Sequence, residues 1–85
     1  MDKHIILGVH ISNRIQRAVD VQRLLTEYGC NIKTRVGLHE VGTDVCGPGG
    51  IVLLEMFGEE ARCLALADEL NKIDGVEAQR MIFGH

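Results

Sequence analysis

The sequence predicts an α+β fold in which four antiparallel strands form one sheet and two helices cover one of its faces. Two observations predict this architecture. Strand-like and helix-like segments follow one another in the order βαββαβ, and a helix comes after the first and the third strand. Two right-handed crossovers onto one antiparallel sheet give the ferredoxin-like split βαβ sandwich, with its strands in the spatial order 4-1-3-2. The 85 residues are therefore expected to form one domain.

The first two elements are a strand and a helix. His4–Ile11 places an apolar residue at every second position, which is typical of a strand with one apolar face. Arg14–Tyr28 then repeats apolar residues at helical spacing, and this stripe consists of Ile15, Ala18, Val19, Leu25 and Tyr28. Gly29 follows directly, so we expect it to end the helix in the left-handed conformation that glycine adopts easily.

Two strands form the middle of the chain. Ile32–His39 alternates between two faces, and we place one set of its residues on the open face, the sheet face that points away from the helices: Lys33, Arg35, Gly37 and His39. Ile51–Phe57 is apolar on both faces except for Glu55, which is typical of a central strand. The same alternation adds residues of the first and third strands to the open face: Ile6, Gly8, His10, Ile51, Leu53, Glu55 and Phe57.

The last two elements are a helix and a strand. Gly58 interrupts the third strand, and the two glutamates after it suit the positive N-terminal end of a helix that runs to about Asp74. The apolar stripe of this helix consists of Cys63, Leu66, Ala67, Leu70 and Ile73. Gly75 is expected to close the helix, and Val76–Phe83 has the pattern of a fourth strand.

Composition and charge exclude several classes of function. The net charge is −3, the pI is near 5.7 and the nine basic residues are scattered, so the chain lacks the clustered basic face that nucleic-acid binding needs. No apolar run approaches the roughly 18 residues of a membrane span, and the first residues show no signal-peptide cleavage site. Three cysteines without CxxC spacing indicate a reducing compartment. We therefore expect a cytoplasmic protein that binds neither nucleic acid nor membrane.

The predicted open face is too apolar to remain in contact with water. It combines Ile6, Ile51, Leu53 and Phe57 with few charges, and exposed apolar patches of this kind usually mark an interface. The second strand also lies at the edge of the sheet, where it can pair with another copy. A domain of this size buries only about 60–65% of its unfolded surface, so self-association would stabilise it. We expect a homo-oligomer, either a dimer or a tetramer.

The segment between the second and third strands carries the residues with the most varied chemistry. Its sequence, EVGTDVCGPGG, holds the only proline, four of the ten glycines and Cys46. The first and second strands are expected to run parallel on either side of the third, so His10 and His39 lie at the same end of the sheet as this segment. Two imidazoles and a thiol, from His10, His39 and Cys46, suit a transition metal such as Zn, Ni or Fe.

Other interpretations of these residues stay open. The histidines can be solvated strand-end residues, with Cys46 a small loop residue. The backbone N–H groups of the glycine-rich end can instead cradle an anion. The candidate ligand-binding residues are then Arg35, His39, Gly47, Gly49 and Gly50. A Cys46 nucleophile beside His39 has no orienting acid in the sequence pattern, and no catalytic motif is complete, so we expect a protein that is not an enzyme.

The chain resembles a known group of small proteins. It is similar to single-domain ACT-like proteins that are labelled iron-only hydrogenase system regulators. The similarity lies in the βαββαβ layout, in the hairpin RVGLHEVGTDVCGPGGIVLLEMFG and in the later segment ELNKIDGVEAQRMIF. The resemblance covers nearly the whole chain, and its most specific part is Arg35–Glu40 with Ile51–Gly58. It implies a ferredoxin-like fold, oligomerisation through the sheet and a regulatory role.

Two features depart from related proteins of this fold. Amino-acid-binding ACT domains usually have an acidic residue and a Pro-Gly step after the first strand, where this chain has Ser12–Arg14. Nickel-responsive repressors carry a His-x-His pair on strand two and a Cys near strand three. His39 and Cys46 are similar to that arrangement, but Gly37 replaces the first histidine. We expect a stand-alone ACT-like regulatory domain that senses a ligand and acts through a partner protein. The alternative is a metal-binding sensor or carrier.

Overall fold

The computed structural model describes residues 3–12, 15–38 and 50–84. Its elements follow the predicted order, with a short 3-10 turn added after the first helix. The elements are β1 (His4–Ile11), α1 (Ile15–Glu27), the 3-10 turn (Gly29–Asn31), β2 (Ile32–Leu38), β3 (Gly50–Met56), α2 (Glu60–Asn71) and β4 (Val76–Phe83). Neither helix in these residues is long and apolar enough to cross a membrane.

The four strands form one antiparallel sheet in the order β2-β3-β1-β4, which confirms the predicted topology. β1 and β3 are the central strands, and β2 and β4 form the edges. Because β1 and β2 are both antiparallel to β3, they run parallel to each other, as expected. On β1, Gly8 pairs with Leu53 on one side and with Gln79 on the other, so this glycine lies in the middle of the sheet.

The core is an aliphatic layer between one face of the sheet and the helices. Alternate residues of β1 and β3 meet the predicted stripe of α2. The side chains of this layer are at most 4% exposed: Ile5, Leu7, Val9, Leu54, Met56, Cys63, Leu66, Ala67 and Leu70. Burying one Leu or Ile side chain contributes about 1.5–3 kcal/mol. No polar or charged residue is buried in the described part of the chain, so this apolar layer holds the fold together.

The buried stripe of α1 differs from the prediction. Val21, Leu25 and Tyr28 are buried, whereas Val19 is 64% exposed. The three buried residues follow the spacing i, i+4, i+7 of one helix face. Val19 lies about 200° around the helix axis from Val21, since successive residues are about 100° apart. The prediction is therefore confirmed for Leu25 and Tyr28 and wrong for Val19.

Only one of the two glycines expected to end a helix adopts the left-handed conformation. Gly75, after α2, has a φ of 87°. Gly29 is not among the glycines with positive φ. It opens the 3-10 turn instead, in which the Asn31 N–H donates to the Tyr28 carbonyl at 2.8 Å. The 3-10 turn therefore ends the helix in place of a residue in the left-handed conformation.

A β-bulge changes which residues of β2 share a face. The register between β2 and β3 shifts between Ile32 and Thr34, so β2 contains one extra residue, Lys33. Thr34 consequently pairs with Glu55, and its hydroxyl donates to the Glu55 carboxylate at 2.9 Å. Thr34 therefore lies on the open face, which contradicts the alternation expected from the sequence.

The described residues of β2 after the bulge likewise lie on the face opposite to the predicted one. Val36 pairs with Leu53 on the open face. Arg35 pairs with Leu54, which is fully buried beneath the helices, and Gly37 shares that side. The prediction that Arg35 lies on the open face is therefore wrong, because the bulge interrupts the strict period of two that the prediction assumed.

The outer edge of β4 is partly closed by a side chain from α2. The Asn71 amide donates to the Ala78 carbonyl at 3.1 Å, and the Ala78 N–H donates to the Asn71 side-chain oxygen at 2.7 Å. The carboxamide thus pairs with both backbone groups of Ala78, as the backbone of a neighbouring strand would. This pair anchors the end of α2 to the sheet and satisfies two backbone groups of an edge strand.

A tight corner joins β3 to α2. Gly58 has a φ of 98°, and a Cβ at this position would lie 2.8 Å from the Asn31 side-chain nitrogen. The same Asn31 nitrogen donates to the Phe57 carbonyl at 3.0 Å, and the Phe57 N–H donates to the Asn31 carbonyl at 2.8 Å. Glycine is required at this corner because both the backbone conformation and the close neighbour exclude a side chain.

We expect Gly58→Ala to lower the free energy of unfolding by about 1–3 kcal/mol, because alanine is strained at positive φ and displaces the Asn31 amide. Gly29→Ala is the matched control: its φ is not positive, and a Cβ there meets nothing within 4 Å. We expect this control to change stability by less than about 0.5 kcal/mol. Urea unfolding followed by circular dichroism measures both, and equal effects of the two changes would contradict the assignment.

Candidate binding surface on the open face of the sheet

The open face is formed by all four strands and is covered by neither helix. Strand register assigns its described residues, because directly paired residues share a face. They are Thr34 and Val36 from β2, Ile51, Leu53 and Glu55 from β3, His4, Ile6, Gly8 and His10 from β1, and Glu77, Gln79, Met81 and Phe83 from β4. The placement predicted for the β1 and β3 residues is confirmed within these strands.

Large apolar side chains on this face are half-exposed. Val36 is 46% exposed, Ile51 41%, Met81 52% and Phe83 50%. They come from three different strands, and Ile6 and Leu53 lie between them in a partly buried position. An apolar surface that spans a whole sheet face differs from the single exposed apolar residues that are normal in proteins. This surface is therefore a candidate for contact with another molecule.

A polar row crosses the face near one end. The Glu55 carboxylate accepts a hydrogen bond from the Thr34 hydroxyl at 2.9 Å, and its other oxygen lies 3.9 Å from the His4 Nε2 atom. The contact with Thr34 bridges β2 and β3, and the contact with His4 reaches β1. Glu55 is therefore held in place by neighbours on both sides, and its side chain is only 31% exposed.

A shallow depression lies at the other end of the face. Its volume is about 210 Å³, and it is lined by Gly8, His10, Ile51, Glu77 and Gln79. Gly8 contributes no side chain. The Gln79 amide donates to the Glu77 carboxylate at 2.8 Å. An imidazole, a carboxylate and an amide thus surround a floor of bare backbone and one isoleucine. This arrangement can accommodate a small group that is partly apolar and forms one or two hydrogen bonds.

The structure describes three of the residues predicted to form a site. His10 is exposed on the open face, where it pairs with Ile51 and Glu77. Gly50 is the first residue of β3, with a φ of 142°. Arg35 is exposed on β2, on the side that faces the helices. His10 and Arg35 therefore lie on opposite faces of the sheet.

The other predicted site residues lie outside the described part of the chain. They are His39, Cys46, Gly47 and Gly49. Among the described residues, no group of three His, Cys, Asp or Glu side chains is placed to hold a metal ion. The predicted metal site, which needs His39 and Cys46 beside His10, and the predicted anion cradle therefore both stay predictions.

The two described cysteines differ in environment. Cys30 is exposed in the 3-10 turn, whereas Cys63 is fully buried on α2. Burial raises the pKa of the Cys63 thiol, although a weak hydrogen bond from its sulfur to the Phe57 carbonyl at 3.6 Å acts in the opposite direction. Cys63 therefore stays a neutral, apolar packing residue at physiological pH.

A second groove, on the helix side, is less suited to recognition. Its volume is about 330 Å³, and it lies between α1 and the end of α2. Charged side chains that line this groove form ion pairs with near neighbours in sequence: Arg23 lies 3.6 Å from Asp20, and Lys72 lies 2.9 Å from Glu69. The hydrogen bond with Glu69 raises the pKa of Lys72. Exposed pairs of this kind contribute little energy, and they leave few polar groups to define a ligand.

Sequence reasoning placed Gly8 on the open face but did not identify the depression. Glu77 and Gln79 alternate along β4 with the buried residues Val76 and Ala78, and this pattern was readable in the sequence. The pairing of Gly8 with Gln79 was not, because it depends on the register between β1 and β4. A glycine inside an otherwise apolar strand is a local signal for such a site.

Comparison with solved structures establishes the class of this fold. The uncharacterized protein TM1266 from Thermotoga maritima is 25% identical to the chain, covering 94% of this chain and 96% of that one with a TM-score of 0.79. The ACT domain from the GTP pyrophosphokinase of Chlorobium tepidum is 19% identical, with coverages of 93% and 96% and a TM-score of 0.62. The fold is ACT-like.

A third similar structure is part of a longer chain. The regulatory subunit of aspartate kinase from Thermus flavus is 16% identical, and the match covers 98% of this chain and 52% of that one with a TM-score of 0.54. No family model matches the sequence, and no curated protein is significantly similar to it.

Proposed function

We propose that this chain is a stand-alone ACT-like regulatory domain that senses a small ligand, assembles with copies of itself through its sheet and acts through a partner protein. The observation that carries the proposal is the open face of the sheet. This face exposes four large apolar side chains, Val36, Ile51, Met81 and Phe83, and it contains a depression of about 210 Å³.

The open face has enough apolar surface to support an assembly. Covering roughly 400 Å² of apolar surface across two copies contributes about 10 kcal/mol. Association costs about 4–15 kcal/mol in lost translational and rotational freedom, so the two terms are of similar size. Assembly therefore needs most of the face rather than one corner of it. A dimer or a tetramer built through the sheet satisfies this requirement.

The regulatory part of the proposal is supported by similarity of fold. One similar structure is the ACT domain of a GTP pyrophosphokinase, and another is the regulatory subunit of an aspartate kinase. By analogy, this domain responds to a ligand and alters a partner rather than catalysing a reaction. The sequence resemblance to iron-only hydrogenase system regulators makes that enzyme system the first place to search for the partner.

We expect Met81→Lys to dissociate the assembly, because it places a charge among the exposed apolar side chains of the open face. The measured mass should fall from a multiple of 9.4 kDa to that of one chain. Val19→Lys is the matched control, since Val19 is 64% exposed on α1 and lies away from the open face, and it should leave the mass unchanged. Light scattering after size-exclusion chromatography measures the masses, and circular dichroism verifies the fold of each variant.

Two results would contradict assembly through the open face. The first is a wild-type chain that remains a monomer at concentrations well above micromolar. The second is an oligomer whose mass is unchanged by Met81→Lys, which would place the contact on another surface.

A second candidate function is a metal-binding sensor or carrier that uses His10, His39 and Cys46. One observation favours it: the His10 imidazole is exposed at the depression, and its strand neighbour Glu77 adds a carboxylate there. Imidazole, thiolate and carboxylate ligands suit Zn, Ni or Fe. In this alternative the ligand that the domain senses is the metal ion itself.

We expect near-stoichiometric Zn, Ni or Fe in the wild-type chain if this second function is present, and its loss in His10→Ala and Cys46→Ser. His4→Ala is the control, because His4 lies at the other end of β1, 3.9 Å from the Glu55 carboxylate. Plasma mass spectrometry on chain purified without chelators measures the content. A wild-type chain that stays free of metal after incubation with divalent ions would exclude the metal function and leave the regulatory proposal intact.

A further inference from the structure

The depression on the open face has Gly8 at its floor. Gly8 lies in the central strand β1 between its register partners Leu53 and Gln79, so one position in the middle of this row has no side chain. The next row along the strands consists of Ile51, His10 and Glu77. The volume of about 210 Å³ is smaller than that of typical ligand sites, about 300–1,000 Å³, so the depression fits a small molecule or one end of a longer one.

The described fold does not itself require glycine at position 8. Gly8 is not among the glycines with positive φ, and a Cβ there would meet only the Leu53 Cδ2 atom, at an ordinary contact distance of 3.8 Å. Gly58 differs, since its φ is 98° and a Cβ would lie 2.8 Å from Asn31. Glycine weakens a strand, and it often marks a place where a ligand approaches the backbone closely. The bare backbone of Gly8 is therefore available to a bound molecule.

The rim of the depression offers hydrogen-bond acceptors. A carboxylate can only accept, so the Gln79 group that lies 2.8 Å from the Glu77 Oε2 atom is the amide NH₂. The Gln79 side-chain oxygen and the second Glu77 oxygen form no hydrogen bond with any described residue. Two side chains that are joined by a hydrogen bond thus each present a free acceptor oxygen at the same depression.

The part of the open face around the depression carries negative charge. Strand pairing assigns two carboxylates and two histidines to the face, but no lysine or arginine. The bulged residue Lys33 has no register partner, and it lies at the Glu55 end of β2, away from the depression. Glu77 forms no ion pair with any described lysine or arginine, and Arg80 of β4 pairs instead with Asp68 on the helix side. The resulting negative potential favours a cation over an anion.

We propose that the depression binds a small organic cation whose charge is carried by a planar amidinium or guanidinium group. The N–H groups of this cation donate to the free oxygens of Glu77 and Gln79, and its flat body lies over the bare backbone of Gly8 beside Ile51. A guanidinium suits this place better than an ammonium, because its planar fork can donate to two acceptors and because it is more weakly hydrated. The inference rests on the ligand-sensing part of the proposed function and names the class of ligand.

The first test compares compounds of the same shape that differ in charge: benzamidine is a cation, benzamide is neutral and benzoate is an anion. Each is titrated into isotope-labelled chain freed of metal, and the NMR signals of the Gly8, Glu77 and Gln79 amides report binding. We expect benzamidine to bind at least about tenfold more tightly than benzamide, and benzoate to leave these signals unchanged. Ethylguanidine, which carries the other planar group, should shift the same signals as benzamidine.

The second test removes the charge of the rim. Glu77→Gln keeps the shape of the side chain, and we expect the dissociation constant of benzamidine to rise by about tenfold, because a hydrogen bond to a charged acceptor is stronger than one to a neutral acceptor. Glu27→Gln is the matched control, since it removes the same charge from an exposed position at the end of α1. This control should change the dissociation constant by less than about twofold, because salt screens distant charges.

The third test fills the floor of the depression. Gly8→Val introduces a residue that strands favour, and we expect it to abolish the benzamidine-induced shifts of the Glu77 and Gln79 signals. Gly37→Val is the control, since Gly37 is also a strand glycine with open space for a Cβ but lies on the helix side of β2. Gly8→Ala provides a smaller side chain and weaker binding in the same direction, which keeps the test decisive if the valine variant does not fold. Circular dichroism verifies the fold of each variant.

The outcomes separate this inference from the proposed function. Failure of both benzamidine and ethylguanidine to bind, or tighter binding of benzoate than of benzamidine, would overturn the class of ligand. Benzamidine binding that is unaffected by both Glu77→Gln and the Gly8 variants would overturn the site. In each case the regulatory proposal stands, because it names no class of ligand. A wild-type monomer, in turn, contradicts the assembly but not the binding of a cation at the depression.

Discussion

One-sided burial is the constraint on which the rest of this structure depends. Both helices lie against the same face of the sheet, and the aliphatic layer between them contains side chains such as Leu7, Leu54, Leu66 and Leu70, all fully buried. The helices that cover one face of the sheet cannot also cover the other. The open face must therefore be made polar or be covered by another molecule. In this chain the open face is mostly apolar. The proposed assembly through the sheet is based on this exposed apolar surface.

Much of the fold could be predicted from the sequence, because the strongest signals were local and periodic. The alternation along His4–Ile11 and the stripe from Cys63 to Leu70 predicted β1, α2 and their buried faces. The prediction was wrong where a backbone irregularity broke the period. Nothing about Lys33 marks a β-bulge, yet this one extra residue reverses the face of every later described residue of β2, including Arg35. Val19 shows the corresponding limit for helices, since an apolar residue does not by itself reveal which helix face is buried.

The candidate site was less predictable than the fold. His10 could be placed on the open face from parity alone, and the register confirms that placement. The depression beside it is formed by residues of β1, β3 and β4, and it exists because β4 pairs with β1 in one particular register. Register is set by turns, bulges and long-range packing, so a sequence pattern cannot fix it to within one residue. A site built across strands therefore becomes visible only when the sheet is assembled.

The Asn71 side chain that pairs with Ala78 has a consequence for how sheets of this protein can grow. If both edges of the sheet were open, β4 of one copy could join β2 of the next, and this head-to-tail contact would repeat without end into a filament. The carboxamide of Asn71 already occupies the outward N–H and C=O groups of Ala78, the third residue of β4. A strand that joined the β4 edge along its whole length would have to displace this amide pair, whereas no such pair is described on β2. A single amide group thus disfavours head-to-tail growth of the sheet at this edge.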